Sequence, residues 1–304
     1  MTKAVLVLCC LCAVLTLLPG CRHQMAALQT AEGVELREGD KRILFYRTRP
    51  LKMEDKYERA GYVHPLYDLN GNVMTEDGPA DHPYHRGIFW AWHQVASRGV
   101  LVADGWMSEG VAFVPLSVKC GAGRGSTFLS AGMLWRATAA PHDLLREHVI
   151  IRAYPAKKGY RIVDFDISLV PLTDSLALGG ADDVKGYGGF CLRLLLPPDI
   201  SFWSCGQEVE AQEAAVAAGP WMDFSGSHEG MRRGLTVFCH PGSTGASQNW
   251  ILRKRKSMQN VVFPGRHPKM LPPQGWRMRY RLIVHNGEMT QVELEELYRL
   301  YNKR

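Results

Sequence analysis

Apolar and polar residues alternate with period two over much of this chain, the pattern of strands with one buried and one wet face. Val163, Phe165, Ile167 and Leu169 are interleaved with Asp164, Asp166 and Ser168. Met278, Tyr280, Leu282 and Val284 repeat the pattern against Arg277, Arg279 and Arg281. Residues 34–38 and 42–46 flank Gly39-Asp40, the composition of a tight hairpin turn, and residues 149–154 and 235–239 add short β-rich runs. Helical spacing stands out only at the end of the chain. There Thr290 and Glu293 form a capping box, after which Leu294, Leu297, Tyr298 and Tyr301 share one face. With 30 Gly and 17 Pro punctuating short strands, the expected fold is all-β, a large antiparallel sandwich of two sheets with one C-terminal helix.

The first residues follow a different rule. Lys3 precedes an apolar run over residues 4–18, and Leu18-Pro19-Gly20-Cys21 follows. A charged head, a short hydrophobic core and a small residue before the cut describe a signal peptide over residues 1–20. Cys21 after Gly20, with Leu18 three positions before it, resembles the lipobox of bacterial lipoproteins, in which the thiol is acylated. Arg22 in place of Asp resembles the form sorted to the outer membrane, facing the periplasm or the cell surface. The expected organisation is therefore signal 1–20, tether 21–32 and a β-sandwich domain over 33–304. No later stretch approaches the ~20 apolar residues that a spanning helix needs, so the lipid is the expected membrane attachment. Cys9, Cys10 and Cys12 would leave with the signal. Cys120, Cys191, Cys205 and Cys239 show no CxxC spacing, so no disulfide framework is expected, and Cys191 and Cys239 read as buried thiols. A net charge of +6 and one short basic run, Arg253-Lys254-Arg255-Lys256, give no reason to expect a nucleic-acid partner.

Candidate chemistry concentrates in residues 62–93, which contain His64, His82, His85 and His93 beside Phe89, Trp90 and Trp92. Pro83 prevents a regular helix around His82 and His85, so both imidazoles are expected on a loop leading into a strand over 88–92. In that strand Phe89 and Ala91 face opposite to Ile88, Trp90 and Trp92, and either set can line a site beside the histidines. The segments HPLY at 64–67, DHPYHRGIFWAWH at 81–93, KGYGGFCLR at 185–193, WMDFSG at 221–226 and NWILR at 249–253 resemble a bacterial family labelled methane oxygenase PmoA-like, better described as a domain of unknown function. Tyr84 stands where that family more often carries His. The resemblance implies the company of exported carbohydrate-processing proteins and a fold similar to the galactose-mutarotase-like supersandwich. It does not imply methane oxidation, which belongs to proteins that span the bilayer several times.

Acid/base work on a sugar or oxidised sugar, by a lyase, hydrolase or epimerase, is the function these residues suggest. The candidate catalytic set is His82, His85, Glu147, Lys185 and Asp223. The candidate substrate-binding set is His64, Tyr67, Trp92, His93, Trp106, Arg193, Trp221, Trp250 and Arg253, which offer flat apolar faces and charged donors. Plainer readings compete: the tryptophans fill the core, Lys185 sits in a solvated turn, and Arg193 makes an internal ion pair. A divalent metal on His82 and His85, with Asp81, His64 or His93, is an alternative for the same site, although no HExxH or His-x-His pattern is present. A surface carbohydrate-binding lipoprotein without catalysis is the other alternative. No dinucleotide fingerprint and no G-x-S-x-G elbow occurs.

Overall fold

A computed structural model of the protein describes residues 24–255 and 258–303. The expected signal peptide, Cys21 and Lys256 lie outside the described residues.

Two nine-stranded antiparallel sheets dominate the fold. The first runs Met25–Gln29, Gly33–Glu38, Lys41–Arg47, Tyr62–Leu66, Ile88–Trp92, Gly188–Arg193, Met258–Val262, Asn249–Ile251 and Val216–Ala217. The second runs Val111–Gly123, Ser126–Ala137, His142–Ala153, Tyr160–Pro171, Trp276–Asn286, Met231–Cys239, Trp221–His228, Ser201–Ser204 and Gln207–Glu208. Side chains from both sheets, such as Val34, Leu36, Trp90, Trp92 and Phe190 from the first and Leu129, Val149, Phe165 and Leu282 from the second, form one buried cluster. This is the all-β, two-sheet architecture that the alternation predicts. The alternation also places its residues correctly: Val163, Phe165, Ile167 and Leu169 are buried, while Asp164, Asp166 and Ser168 face outward half-exposed.

On the inward face of that strand one residue breaks the apolar rule. Arg161 begins that inward row and its Nη2 lies 2.7 Å from Glu38 Oε2 of the first sheet, so a buried ion pair bolts the sheets together. At the C-terminus, helix Gln291–Asn302 is capped by Thr290, whose backbone N–H donates to the Glu293 carboxylate while the Glu293 N–H donates to its hydroxyl. Leu294 and Tyr301 are buried on Trp221, Phe238 and Ile283, on the outer face of the second sheet. Among the described residues no helix is long and apolar enough to cross a membrane.

What positions the site is the centre of the first sheet, where Gly188–Arg193 is paired between Ile88–Trp92 and Met258–Val262. Gly189 adopts φ +110° there, and a Cβ on it would collide with the Val261 carbonyl oxygen and come within 3.0 Å of the Phe263 amide nitrogen. Backbone strain alone at such a position costs about 1–3 kcal/mol. Gly189→Ala should therefore lower the urea midpoint by at least that equivalent; an unchanged midpoint would show that this strand tolerates a side chain.

Candidate functional site

Alternation in Ile88–Trp92 sends Ile88, Trp90 and Trp92 into the main core, while Phe89 and Ala91 join a second cluster on the outer face with Tyr62, Trp106, Cys191 and Met258. The loop that precedes this strand lies over that outer cluster. Its histidine segment is wound in two successive turns, His82 N–H to Pro79 O (2.9 Å) and His85 N–H to His82 O (2.9 Å), which leaves the two imidazoles stacked at 4.6 Å and 5°.

Arg193, at the end of the neighbouring strand, holds this arrangement. It is 4% exposed, and its Nε donates to Glu76 Oε2 (2.8 Å), Nη2 to Asp81 Oδ1 (3.1 Å) and Nη1 to His85 Nδ1 (3.0 Å). A guanidinium can only donate, so His85 Nδ1 is a lone pair and the ring carries its proton on Nε2. Burial and the Arg193 charge push the His85 pKa down to about 2, so this imidazole is a neutral donor rather than an acid. Asp81 reaches on to His82, with Oδ2 2.8 Å from Nδ1. Desolvation opposes its ionisation, but His82 and Arg193 together hold its carboxyl below the usual range.

A second imidazole–carboxylate pair stands against Trp106. His93 Nδ1 is 2.8 Å from Asp104 Oδ2, and the His93 ring stacks on the Trp106 indole at 5.1 Å and 18°. Asp104 Oδ1 accepts from the backbone N–H of Trp106 (2.9 Å) and Met107 (2.8 Å), which fixes the carboxylate. The other contacts of Trp106 are an edge contact with His85 at 5.7 Å and contacts with Phe89 and Tyr187. Around the rim, Tyr84 meets both His82 and His85, and Tyr57 meets Tyr84. The solvent-facing groups are His82, Asp81, His93 and Asp104, whose side chains are 27%, 52%, 24% and 25% exposed.

Of the residues expected from the sequence, the structure brings together His82, His85, His93, Trp106 and Arg193. The others are elsewhere. Trp92 and Trp250 fill the core, their indole N–H groups donating to Phe263 O (2.7 Å) and Gly219 O (2.9 Å), so neither offers a face to a ligand. Glu147 is inside the sandwich, where it accepts from Trp135 Nε1 at 2.9 Å; burial pushes its carboxyl up to about 7, and no ligand reaches it. His64 is half-buried, with its Nδ1 3.0 Å from the Thr75 hydroxyl, and Tyr67 is buried under the Arg42 guanidinium. Arg253 spends its guanidinium on the carbonyls of Gln212, Leu252 and Glu213, under the Tyr187 ring. Lys185 follows an Asp183-capped turn, 3.8 Å from Glu213. Asp223 and Trp221 belong to the second sheet, where they line a separate 260 Å³ cavity beside the C-terminal helix. There Asp223 accepts from Thr236 (2.7 Å) and lies 2.9 Å from His285 Nε2; burial works against the charge on His285, but Asp223 holds its pKa above the ordinary value.

Among the described residues no three His, Cys, Asp or Glu side chains converge as a metal-ligand set. The expected pair does not fit one, because His85 Nδ1 already accepts from Arg193.

Sequence reasoning missed Glu76, Asp104, Tyr57 and Tyr187, and two buried arginines beneath the site. Arg59 donates to Gly105 O (2.7 Å) and Trp90 O (2.8 Å), and Arg86 to Leu51 O (2.8 Å) and Tyr57 O (2.7 Å). The only sequence signal was the position of Arg59 and Arg86 beside the histidine-rich segment.

His85 carries a pH signature. Its folded pKa of about 2 lies below the ordinary 6.5, so its contribution to stability is complete above pH 6.5 and is lost progressively as pH falls toward 2. Arg193→Gln removes one of the two main depressing influences, so the folded His85 pKa rises and the loss of stability on acidification stops at a higher pH, the profile flattening below the raised pKa. Urea titrations at several pH values, with imidazole nitrogen shifts from NMR, measure both; equal slopes would show that Arg193 does not govern His85.

A family model described as a family of unknown function (DUF6807) matches residues 33–299. No curated protein matches the chain in sequence. By the extent of that match, the chain belongs to this family of unknown function.

Proposed function

We propose that this protein is an exported lipoprotein that acts on a carbohydrate by proton transfer at the histidine surface. The observation that carries the reading is the pair of imidazole–carboxylate dyads, Asp81–His82 and Asp104–His93, joined through His85 and Trp106. At His93 the carboxylate accepts the Nδ1 proton, which leaves Nε2 as the working nitrogen, while at His82 the Asp81 carboxylate lies 2.8 Å from Nδ1 and supplies an opposing charge. Two such groups serve a lyase, hydrolase or epimerase equally: one removes a proton while the other delivers one to a ring, hydroxyl or glycosidic oxygen. His85, kept neutral, donates through Nε2 and suits a hydroxyl or carbonyl oxygen. Tyr57, Tyr84 and Tyr187, half-buried at the rim, supply ring faces against which a pyranose packs.

Export rests on the sequence. Lys3, the apolar run over 4–18 and Cys21 support a cleaved signal and a lipid on Cys21, and Arg22 supports outer-membrane sorting with the domain facing the periplasm or the surface. The motifs at 64–67, 81–93 and 185–193 support the finer relation to the PmoA-like family and its carbohydrate-processing company. A non-catalytic carbohydrate binder is the second reading, favoured by the half-buried tyrosines of the rim.

His82→Asn and His93→Asn are each expected to reduce turnover of oligosaccharides, followed by mass spectrometry across neutral and uronate-containing substrates, by about 10²-fold or more, with glycan-array binding retained. Binding without turnover by the wild type establishes the binder instead, and neither binding nor turnover rejects both readings. In cells, Cys21→Ser should abolish incorporation of labelled palmitate; labelling that persists would remove the lipid anchor from Cys21.

A further inference from the structure

On the outer face of the second sheet, the aspartates of Tyr160–Pro171 meet the arginines of Trp276–Asn286. The register sets Asp164 opposite Arg281 and Asp166 opposite Arg279. Three guanidiniums face two carboxylates, and the side chains settle the mismatch unevenly. Arg281 grips Asp164 through Nε (2.6 Å) and Nη2 (2.8 Å), while Arg277 takes both oxygens of Asp166 at 2.9 and 2.5 Å. Arg279 is left without a carboxylate among the described residues. Its Nη2 lies 2.7 Å from His240 Nδ1, and its Nε is buried with no hydrogen-bond partner.

His240 shares the deficit. Its Nδ1 also accepts from the Gly242 N–H at 2.9 Å, so its proton sits on Nε2, and that atom too is buried without a hydrogen-bond partner. The residue is 5% exposed and stands edge-on to Tyr301, 5.0 Å between ring centroids. From the adjoining strand Arg152 brings a further guanidinium, one of whose nitrogens donates to Ser126. These groups line a cleft of 270 Å³ together with Asp164 and Asp166, both already held by their own arginines.

We propose that this cleft is an oxyanion-binding site, with Arg279 as its uncompensated charge and His240 as a neutral donor, suited to a carboxylate or sulfate group of the kind that acidic sugars carry. A half-buried guanidinium with unused donors loses hydration that nothing in the fold replaces, and an oxyanion restores both charge and hydrogen bonds. Arginine also presents the planar fork that matches carboxylate and sulfate geometry. The formal charge lining the cleft, the guanidiniums of Arg152, Arg279 and Arg281 against the carboxylates of Asp164 and Asp166, favours an anion, and Arg277 further offsets Asp166 from beside it. This site lies on the sheet opposite the histidine surface and stands independently of its reading.

The test is titration of the purified protein with sodium sulfate, and separately with galacturonate and polygalacturonate, at constant ionic strength, followed by calorimetry and by the His240 imidazole resonances. Saturable binding is expected, weakened at least tenfold in Arg279→Gln and partly retained in Arg279→Lys, with circular dichroism confirming the fold. Two neighbours should act in opposite senses. Asp166→Asn removes a repelling carboxylate and should tighten binding at least twofold, whereas Arg277→Gln releases Asp166 toward Arg279 and should weaken it. Tighter binding of galacturonate or its polymer than of sulfate assigns the site to a carboxylated sugar, and saturable binding of sulfate alone assigns it to a free ion; both sustain the site. Non-saturating titrations, or unchanged affinity in Arg279→Gln, overturn it.

Discussion

A guanidinium that cannot lose its proton must find acceptors wherever it is buried, and at Arg193 that requirement organises the histidine surface. All three of its side-chain acceptors, Glu76, Asp81 and His85, come from one loop, whereas Arg193 itself ends a strand at the centre of the first sheet. Arg193 is itself withdrawn from water and depends on these acceptors, so the loop is tied to the sheet by more than its own turns. The consequences pass outward. His85 is compelled to accept, and so remains neutral; Asp81 is oriented by Arg193 and in turn meets His82.

Beneath this surface the same chemistry recurs with backbone acceptors. Arg59 lies between the rings of Phe89 and Phe113 and ties the carbonyls of Gly105 and Trp90, so the turn that carries Trp106 is fixed to the strand below it. Arg86 does the same for the carbonyls of Leu51 and Tyr57. Loop carbonyls folded against an apolar layer lack water and need donors, and a planar guanidinium supplies two at once while its faces pack on rings. The rim of the candidate site is therefore positioned from below by buried arginines.

Much of this was legible in the sequence wherever local physics decides. Alternation at Val163 to Leu169 and the Thr290–Glu293 box name a strand and a helix because period and capping are local properties. The crowding of His82, His85 and His93 into one segment was legible as composition. What stayed hidden depends on facing and on long-range order. In Ile88–Trp92 both faces are apolar, so alternation separates Phe89 from Trp90 and Trp92 without saying which set is inside. Glu147 occupies an inward position on a strand whose neighbours give no sign that a carboxylate is tolerated there; Trp135, Trp90 and the Arg59 charge, all from other strands or loops, meet it. Asp223 shares a motif with the histidine segment in resemblance, yet sheet order sends it to the opposite sheet, against His285. Asp104 and Glu76 became visible only once the strands were placed side by side.

The difference between Arg193 and Arg279 shows how the fold separates structure from opportunity. Each lies on a strand, each touches the Nδ1 of a histidine, and each is largely withdrawn from water. Arg193 is also met by two carboxylates, so its charge is matched within the fold and its role is to position others. Arg279 is met by none among the described residues, because Arg277 and Arg281 take both aspartates through two-point contacts. The strand alternation that makes Arg277, Arg279 and Arg281 face one way, against only two aspartates facing them, creates that imbalance from the sequence itself. An arginine whose neighbours are fully paired is thus one place where donors of this sandwich are unused by its own packing, which is what the proposed oxyanion site draws on.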